Sequence, residues 1–164
     1  MREPAATPVD ADVIVVGAGL SGIGAACRLR MHCPDRNFLI LEGRDDLGGT
    51  WDLFRYPGVR SDSDMHTLGY PFRPWRDPQA IADGPAILAY LRDTVAAFGL
   101  RPQLRLRTRV AAAAWSSTDA RWTLTVEDGA GAQHRLTCRF LHVCSGYFDY
   151  ARGHEPDFPD RERF

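Results

Sequence analysis

Three glycines in the spacing Gly-x-Gly-x-x-Gly carry the clearest chemical meaning in this sequence. Gly17, Gly19 and Gly22 directly follow an apolar run at residues 13–16, and helix-compatible residues come next. A strand, a tight turn and a helix form the context in which this spacing binds a dinucleotide. Gly17 would permit the turn, Gly19 would let the backbone approach a pyrophosphate, and Gly22 would let the helix pack closely. The N–H groups at the start of the helix would then face the phosphates, and Ser21 would add a hydroxyl donor.

An acidic residue at the end of the next predicted strand strengthens this interpretation. Glu42 follows the apolar residues 38–41 and lies about 20 residues beyond Gly22, as expected for a carboxylate that binds a ribose 2′-hydroxyl. Because a carboxylate repels a 2′-phosphate, the site suits FAD or NAD better than NADP. The alternative is an ordinary glycine-rich turn followed by an unrelated surface glutamate.

Composition excludes several other classes of protein. The 164 residues are 45% hydrophobic and 25% charged, which is typical of a globular domain. The formal net charge of −1 leaves no basic footprint for nucleic acid. All 20 basic residues are arginines, so a P-loop lysine and lysine Schiff-base chemistry are both excluded. The four cysteines form no Cys-x-x-Cys pair and the five histidines show no ligand spacing, so we expect no metal site.

The sequence also bears on the cellular location. No apolar stretch approaches the ~20 residues needed to span a bilayer, and the polar N-terminus has no apolar core of a signal peptide. We therefore expect a cytoplasmic protein, with peripheral membrane association as an open alternative.

Beyond the glycine turn, the pattern predicts a second helix and then a region of strands. Asp83 would cap a helix with Pro85 in its first turn, an apolar stripe at residues 87, 91, 95 and 98, and Gly99 as its stop. From Leu104 apolar and polar residues alternate, which predicts an antiparallel meander through residues 122–126 and 133–139. Residues 140–146 then indicate a separate buried strand, whose end would lie at the ligand-binding edge of a parallel sheet.

Between these elements lies a long stretch rich in proline and aromatic residues. Residues 53–78 are too irregular for a long element and too aromatic for disorder, and they contain the acidic cluster Asp62-Ser63-Asp64. Long ordered loops in small domains are often functional. The alternative for the two aspartates is a solvated turn.

Three strings in this part of the chain resemble the FAD domain of flavin-dependent Baeyer–Villiger monooxygenases, most of all the ethionamide-activating subgroup. They are Gly-Gly-Thr-Trp at 48–51, Arg-Tyr-Pro-Gly-Val-Arg-Ser-Asp at 55–62, and Thr-Leu-Gly-Tyr at 67–70. The strand that ends in Cys144-Ser145-Gly146 is similar to the segment that closes this domain in the family. The resemblance runs from about residue 12 to 158 and is more specific than the glycine spacing alone.

The resemblance implies roles for individual residues. The FAD pyrophosphate would be held by Gly17, Gly19, Ser21 and Gly22, the adenosine ribose by Glu42, and the adenine would be contacted by Val110. Beside the flavin half of FAD would run Thr50, Trp51, Asp52 and Leu53. Arg60 and Ser61 would border the path by which NADPH enters. Asp62 would be the catalytic candidate near the isoalloxazine and the nicotinamide, where a carboxylate can orient an arginine or an amide.

The resemblance also implies a fold and a division into domains. We expect an α/β protein, a Rossmann-like FAD-binding domain with a parallel sheet and an inserted antiparallel β-meander. Residues 1–11 would be a flexible tail, 12–150 the FAD-binding domain, and 151–164 a truncated linker towards a missing NADPH domain. No second Gly-x-Gly-x-x-Gly follows Gly24, although enzymes of the family carry one for NADPH. A separate chain that supplies the NADPH domain is therefore a possible partner.

Three functional hypotheses follow. The first is the FAD-binding portion of an NADPH-dependent monooxygenase that oxidises a ketone or oxygenates a sulfide or amine. The second is a non-catalytic truncated remnant that binds FAD weakly or not at all. The third, an FAD-dependent dehydrogenase or N-hydroxylating enzyme, is disfavoured by the Tyr-Pro-Gly-x-Arg-x-Asp string at 56–62.

Overall fold

The apolar run before the glycine turn forms the centre of a six-stranded sheet in the computed structural model, which describes residues 8–163. The strand order is β3-β2-β1-β6-β5-β4. The strands are β1 Ala11–Val16, β2 Phe38–Leu41, β3 Leu104–Arg105, β4 Thr108–Ser116, β5 Arg121–Asp128 and β6 Gln133–Val143. The helices are α1 Leu20–His32, α2 Thr50–Leu53, α3 Met65–Leu68 and α4 Gly84–Ala97, with 3₁₀ turns at Arg101–Gln103 and Arg161–Arg163.

The first strand is buried on both faces, which explains its unbroken apolar sequence. Val13 and Val15 contact the helical layer, where α1 and α4 supply the rest of the larger apolar core. Ile14 points to the other face and packs with Leu124 and Val126 of the meander. The sheet is parallel from β3 through β2 and β1 to β6. The predicted strand, turn, helix and second strand are therefore confirmed.

Helix α4 forms as its sequence predicts. The Asp83 carboxylate accepts a hydrogen bond from the Ala86 N–H at 2.8 Å, and Pro85 occupies the first turn. Gly99 follows the helix with φ +59°, a left-handed conformation that favours glycine. Three members of the predicted stripe, at residues 87, 91 and 95, are buried against the core.

The predicted meander exists, but its limits differ from the expectation. Residues 133–139 and 140–146 were expected to form two strands, whereas Gln133–Val143 is one continuous strand. The first half of β6 pairs antiparallel with β5, and the second half pairs parallel with β1. Leu104–Arg105, expected to open the meander, instead pairs parallel with β2 at the opposite edge of the sheet. Neither Arg139 nor Phe140 is a turn-forming residue such as glycine or proline, so no local signal ends the strand between them.

The second half of β6 is also less buried than expected. Phe140 is 60% exposed and Val143 is 62% exposed. The pairing of β5 with β6 ends at Trp122 and Cys138, so residues 139–143 have a strand partner on the β1 side only, among the residues that the structure describes. The expectation of a buried strand at 140–146 is therefore wrong for Phe140 and Val143.

The chain before β1 and the long loop complete the description. Of the predicted flexible tail, residues 1–7 lie outside the described residues, whereas the Asp10 carboxylate accepts a hydrogen bond from the Thr137 N–H at 2.7 Å and Ala11 begins β1. The predicted loop at 53–78 is irregular and contains only the short helix α3 and the end of α2. Within residues 8–163 no helix is long and apolar enough to cross a membrane. The predicted domain limits at 12, 150 and 164 stay predictions.

Candidate functional site

The glycine turn closes so tightly that two of its positions have no room for a side chain. A Cβ on Gly22 would lie 1.8 Å from the carbonyl oxygen of Gly17, which keeps α1 pressed against the turn. A Cβ on Gly17 would lie 2.5 Å from the carbonyl oxygen of Cys144, just after β6, and the φ of Gly17 is +101°. The turn thus lies at the carboxyl ends of β1 and β6, where ligands bind in open parallel sheets.

A second loop approaches the same turn. A Cβ on Gly49 would lie 3.1 Å from the Cα of Gly19, and the Gly48 N–H donates a hydrogen bond to the carbonyl of Ala18 at 2.9 Å. The segment that begins α2 is therefore fixed beside the start of α1. This contact brings the predicted pyrophosphate residues and the predicted flavin-side residues to one edge of the sheet.

The first turn of α1 presents its N–H groups without a side-chain cap. Gly19 is the N-cap residue and makes no side-chain hydrogen bond, and no acidic residue lies in the first turn. Ser21 is exposed on this turn. Unpaired N–H groups and the positive end of the helix dipole make such a terminus suitable for an anion.

Glu42 is buried at the end of β2 and bridges two loops. Its Oε2 accepts a hydrogen bond from the Ala18 N–H at 2.8 Å, and its Oε1 accepts one from the Arg44 N–H at 3.0 Å. Each carboxylate oxygen has a further lone pair, so both oxygens keep acceptor capacity. The acid is thus held within the turn that it was predicted to serve.

Helix α2 contains the four residues expected beside the flavin, Thr50, Trp51, Asp52 and Leu53. Asp52 is buried, and its carboxylate accepts hydrogen bonds from Arg44 at 2.6 Å and from Arg55 at 3.3 Å. The Asp52 side chain therefore stabilises the loop through its hydrogen bonds to Arg44 and Arg55. Trp51 packs at the margin of the main core.

Thr50 and Leu53, the remaining residues of α2, do not contact Arg44 or Arg55 through hydrogen bonds among the described residues. The Thr50 hydroxyl lies 3.1 Å from the Tyr150 hydroxyl, which places the segment after β6 against the start of α2. Leu53 is half-buried.

The predicted nicotinamide-side residues are divided between structural and exposed positions. Ser61 is buried, and its hydroxyl accepts a hydrogen bond from the Ala82 N–H at 3.2 Å. Arg60 is exposed and forms an isolated β-bridge with Asp83. Asp62 is exposed in the loop that leads to α3. The Asp62 carboxylate has no hydrogen-bond partner among the described residues.

Asp64, the other acid of this cluster, is a helix cap. Its carboxylate accepts hydrogen bonds from the Thr67 N–H at 2.9 Å and from the Thr67 hydroxyl at 3.0 Å. These hydrogen bonds lower the pKa of Asp64 below its ordinary value. Asp64 therefore orders the loop that presents Asp62.

Val110, expected at the adenine, lies near the start of β4. Its side chain is half-buried against the smaller apolar cluster that contains Leu41 and Val126. The register of β4 with β5 shifts between Val110 and Ala112. The backbone of β4 approaches the site at Thr108, whose N–H donates to the carbonyl of Glu42 at 2.8 Å.

Sequence reasoning missed one residue of this site. Arg44 donates its backbone N–H to Glu42 and its guanidinium to Asp52, and it lines a polar cleft of about 380 Å³. The cleft is lined by Gly43, Arg44, Asp45, Asp46, Asp52, Arg55 and Arg92. The sequence contains the signal only in part, because an Arg two residues after Glu42 becomes informative only when Asp52 is known to lie beside it.

Comparisons with known proteins identify relatives of this chain. The family model described as an NAD(P)-binding Rossmann-like domain matches residues 15–82. The FAD-containing monooxygenase EthA of Mycobacterium tuberculosis is 50% identical over 153 residues, which cover 93% of this chain and 31% of that protein. The putative FAD-containing monooxygenase MymA of the same species is 51% identical, again over 93% of this chain and 31% of the relative. The chain thus spans about a third of the length of these relatives.

Solved structures give the same result at lower sequence identity. OTEMO in complex with FAD and NADP superposes with a TM-score of 0.76 at 29% identity, over 94% of this chain and 29% of that one. An oxidized steroid monooxygenase bound to NADP has a TM-score of 0.74 at 33% identity, over 94% and 29% of the two chains. By sequence this chain is similar to FAD-containing monooxygenases over 93% of its length, and its Rossmann-like fold is similar to that of the Baeyer–Villiger monooxygenase structures that it matches.

Proposed function

We propose that this chain binds FAD and forms the FAD-binding portion of an NADPH-dependent flavoprotein monooxygenase. The substrates of the whole enzyme would be ketones, in a Baeyer–Villiger oxidation, or sulfides and amines. The observation that carries this proposal is the cradle formed by the start of α1, Gly49 and Glu42 at one edge of the sheet. The relatives named above support the choice of FAD over other dinucleotides.

The residues of the cradle fit a dinucleotide pyrophosphate. The first turn of α1 offers uncapped N–H groups, and the glycines at 19 and 49 let the two loops lie against each other at this point. A phosphate would replace the missing cap, with Ser21 as an additional donor. Glu42 would accept hydrogen bonds from the ribose hydroxyls through the lone pairs that Ala18 and Arg44 leave free.

On the flavin side, we propose that α2 runs beside the cofactor. Thr50, Trp51 and Leu53 would supply contacts, whereas Asp52 would act through its hydrogen bonds to Arg44 and Arg55. Val110 would contact the adenine. FAD, when bound, would accept a hydride from a reduced nicotinamide and activate O₂.

On the nicotinamide side, Asp62 is the proposed catalytic residue, because its exposed carboxylate is available to orient an arginine or an amide. Arg60 would border the path by which NADPH enters. Ser61 would hold this loop against Ala82, as its buried hydroxyl indicates.

NADPH binding would come from polypeptide outside this chain. The sequence contains one Gly-x-Gly-x-x-Gly, and FAD would occupy it. We propose that the whole enzyme carries a second dinucleotide site, either in the same polypeptide or in a separate chain. The competing hypothesis is a non-catalytic remnant that binds FAD weakly or not at all.

Fluorescence titration of the purified chain with FAD tests the cofactor proposal. We expect flavin fluorescence to be quenched on binding, and the melting temperature to rise with FAD concentration because the ligand binds the folded state. Glu42→Gln should weaken binding by about 1.5 kcal/mol, roughly tenfold, because a charge-assisted hydrogen bond to the ribose is lost.

Glu127→Gln is the matched control, because Glu127 lies on β5, outside the cradle, and is paired with Arg109 of β4. It should bind FAD as the unmodified chain does. A chain that neither quenches flavin fluorescence nor gains thermal stability from FAD would favour the non-catalytic hypothesis. Equal affinities of Glu42→Gln and the unmodified chain would remove the ribose role of Glu42.

A further inference from the structure

Tyr70 contacts the nucleotide cradle from behind, in a way that the proposed function does not require. It belongs to the loop that follows α3, and its side chain is buried. Its hydroxyl donates a hydrogen bond to the carbonyl oxygen of Leu20 at 2.5 Å. Leu20 is the first residue of α1, so the contact is made at the turn whose N–H groups face the proposed phosphates.

The close approach of Tyr70 depends on a glycine in the helix. A Cβ on Gly24 would lie 2.8 Å from Cε1 of the Tyr70 ring and 3.4 Å from Cδ1. Gly24 is not part of the Gly-x-Gly-x-x-Gly spacing, and an alanine would otherwise favour the helix. The fourth glycine of the run therefore has a packing role, which is to admit the Tyr70 ring.

Tyr70 is itself held from α4. Its backbone N–H donates to the Tyr90 hydroxyl at 2.8 Å, and that hydroxyl donates to the carbonyl of Arg73 at 2.6 Å. The two rings stack with their centroids 5.6 Å apart. The short loop that carries Tyr70 is thus fixed at both ends of its turn by one side chain of a long helix.

The geometry of the peptide group shows what this contact does. A trans peptide is planar, so the Leu20 carbonyl and the Ser21 N–H point in opposite directions and move together. A hydroxyl that holds the Leu20 oxygen therefore fixes the direction of the Ser21 N–H. Burial raises the pKa of Tyr70 far above its ordinary value, which keeps the hydroxyl a neutral donor.

We propose that Tyr70 is a positioning residue for the dinucleotide pyrophosphate. By holding the Leu20 carbonyl it orients the first peptide of α1, so that the Ser21 N–H points to the phosphate before any ligand arrives. The proposal rests on the proposed function in one respect only, the identity of the ligand.

Tyr70→Phe tests this role, because it removes the hydroxyl and keeps the ring. We expect FAD to bind about threefold to tenfold more weakly, the range for one lost hydrogen bond. In the ligand-free protein, hydrogen exchange measured by NMR should be faster at the amides of Ile23 and Gly24, since the first turn of α1 is less firmly held. The Ile23 N–H donates to the Gly19 carbonyl at 3.0 Å in the present structure.

Thr94→Val is the matched control. Thr94 is buried in α4, and its hydroxyl donates to the Tyr90 carbonyl at 2.7 Å, so the change also removes one buried hydroxyl bonded to a backbone oxygen. We expect it to lower overall stability and to leave both the FAD affinity and the exchange of Ile23 unchanged. A purely structural Tyr70 would make the two variants behave alike, which would overturn the proposal.

Two further outcomes are decisive. If Tyr70→Phe does not fold, Gly24→Ala replaces it, because the added methyl displaces the ring and leaves the hydroxyl in the chain. Normal FAD binding and normal exchange of Ile23 in Gly24→Ala would then refute the role of Tyr70. If the unmodified chain fails to bind FAD, the proposed function falls, and hydrogen exchange in the ligand-free variants alone decides the positioning role.

Discussion

The thiol of Cys27 is a buried titratable group in the core of this domain. It lies on α1 in the same apolar cluster as Tyr70 and Tyr90. Burial raises its pKa from 9.0 to about 11, and the nearby charge of Arg73 opposes this shift only in part. Because the folded pKa is the higher one, the stabilisation associated with the neutral thiol is complete below pH 9 and is lost as the pH rises towards 11.

Cys27→Ala should therefore reduce the loss of stability at alkaline pH. For the unmodified chain we expect this one thiol to account for a loss on the order of 2 kcal/mol between pH 9 and pH 11. Urea unfolding at pH 8, 9 and 11 measures the effect in both proteins. The exposed Cys33 supplies the control, since Cys33→Ala should follow the curve of the unmodified chain. Parallel curves for Cys27→Ala and the unmodified chain would contradict the prediction.

Single residues of the site differed in how far the sequence could predict them. Gly22 and Glu42 were predictable because a fixed spacing around a strand end leaves each of them one position in space. The hydrogen bonds of Ser61 and Asp52 were not predictable, because they involve Ala82, Arg44 and Arg55, which only the folded loop brings near. The contact of Tyr70 with Leu20 gave no signal in the sequence, since the partner is a backbone carbonyl 50 residues away.

Strand β6 illustrates the same limit for whole elements. Helix α4 was predictable from its cap, its stripe and its terminal glycine, all of which are local. The single long strand at Gln133–Val143 was expected as two, because the chain passes from a meander with one covered face into a parallel sheet and its pattern changes there. The exposed side chains of its second half follow from the absence of a second neighbouring strand among residues 8–163, which no local pattern records.

The exposed part of β6 should make the chain self-associate. Phe140, Val143 and the nearby Tyr147 present apolar surface beside an unpaired strand edge. Replacing Phe140 and Val143 with threonine keeps β propensity and should shift the sedimentation profile towards monomer at high concentration. Ala112→Thr with Ala114→Thr, on the exposed strand β4, should leave the profile unchanged. A chain that sediments as a monomer without any substitution would show that this surface does not associate.

The molecule as a whole should bind a flavin without completing the reaction. Hydride transfer requires the nicotinamide to lie against the flavin, and a displacement of ~1 Å can cost about 100-fold in rate. FAD would occupy the one Gly-x-Gly-x-x-Gly of this sequence, so we expect that NADPH is not held in this geometry. The FAD-loaded chain should therefore not couple NADPH oxidation to oxygenation of a ketone or sulfide. Anaerobic stopped-flow absorbance with excess NADPH measures flavin reduction, and FAD-loaded chain with dithionite is the positive control. Rapid bleaching by NADPH, followed by oxygenated product when O₂ is admitted to a monomeric sample, would contradict this expectation.

The register of the central strand sets the order in which the cradle can be completed as the chain leaves the ribosome. Val13 finds its first neighbour at Phe38 early, but its second neighbour, Phe140, is synthesised 127 residues later. Gly17 likewise lies against the carbonyl of Cys144. Contacts between such distant parts of a chain form slowly, because a long loop must close first. The glycine turn is thus translated well before the residues that form its final walls, so a nascent chain released before residue 144 carries the glycine spacing without a finished turn.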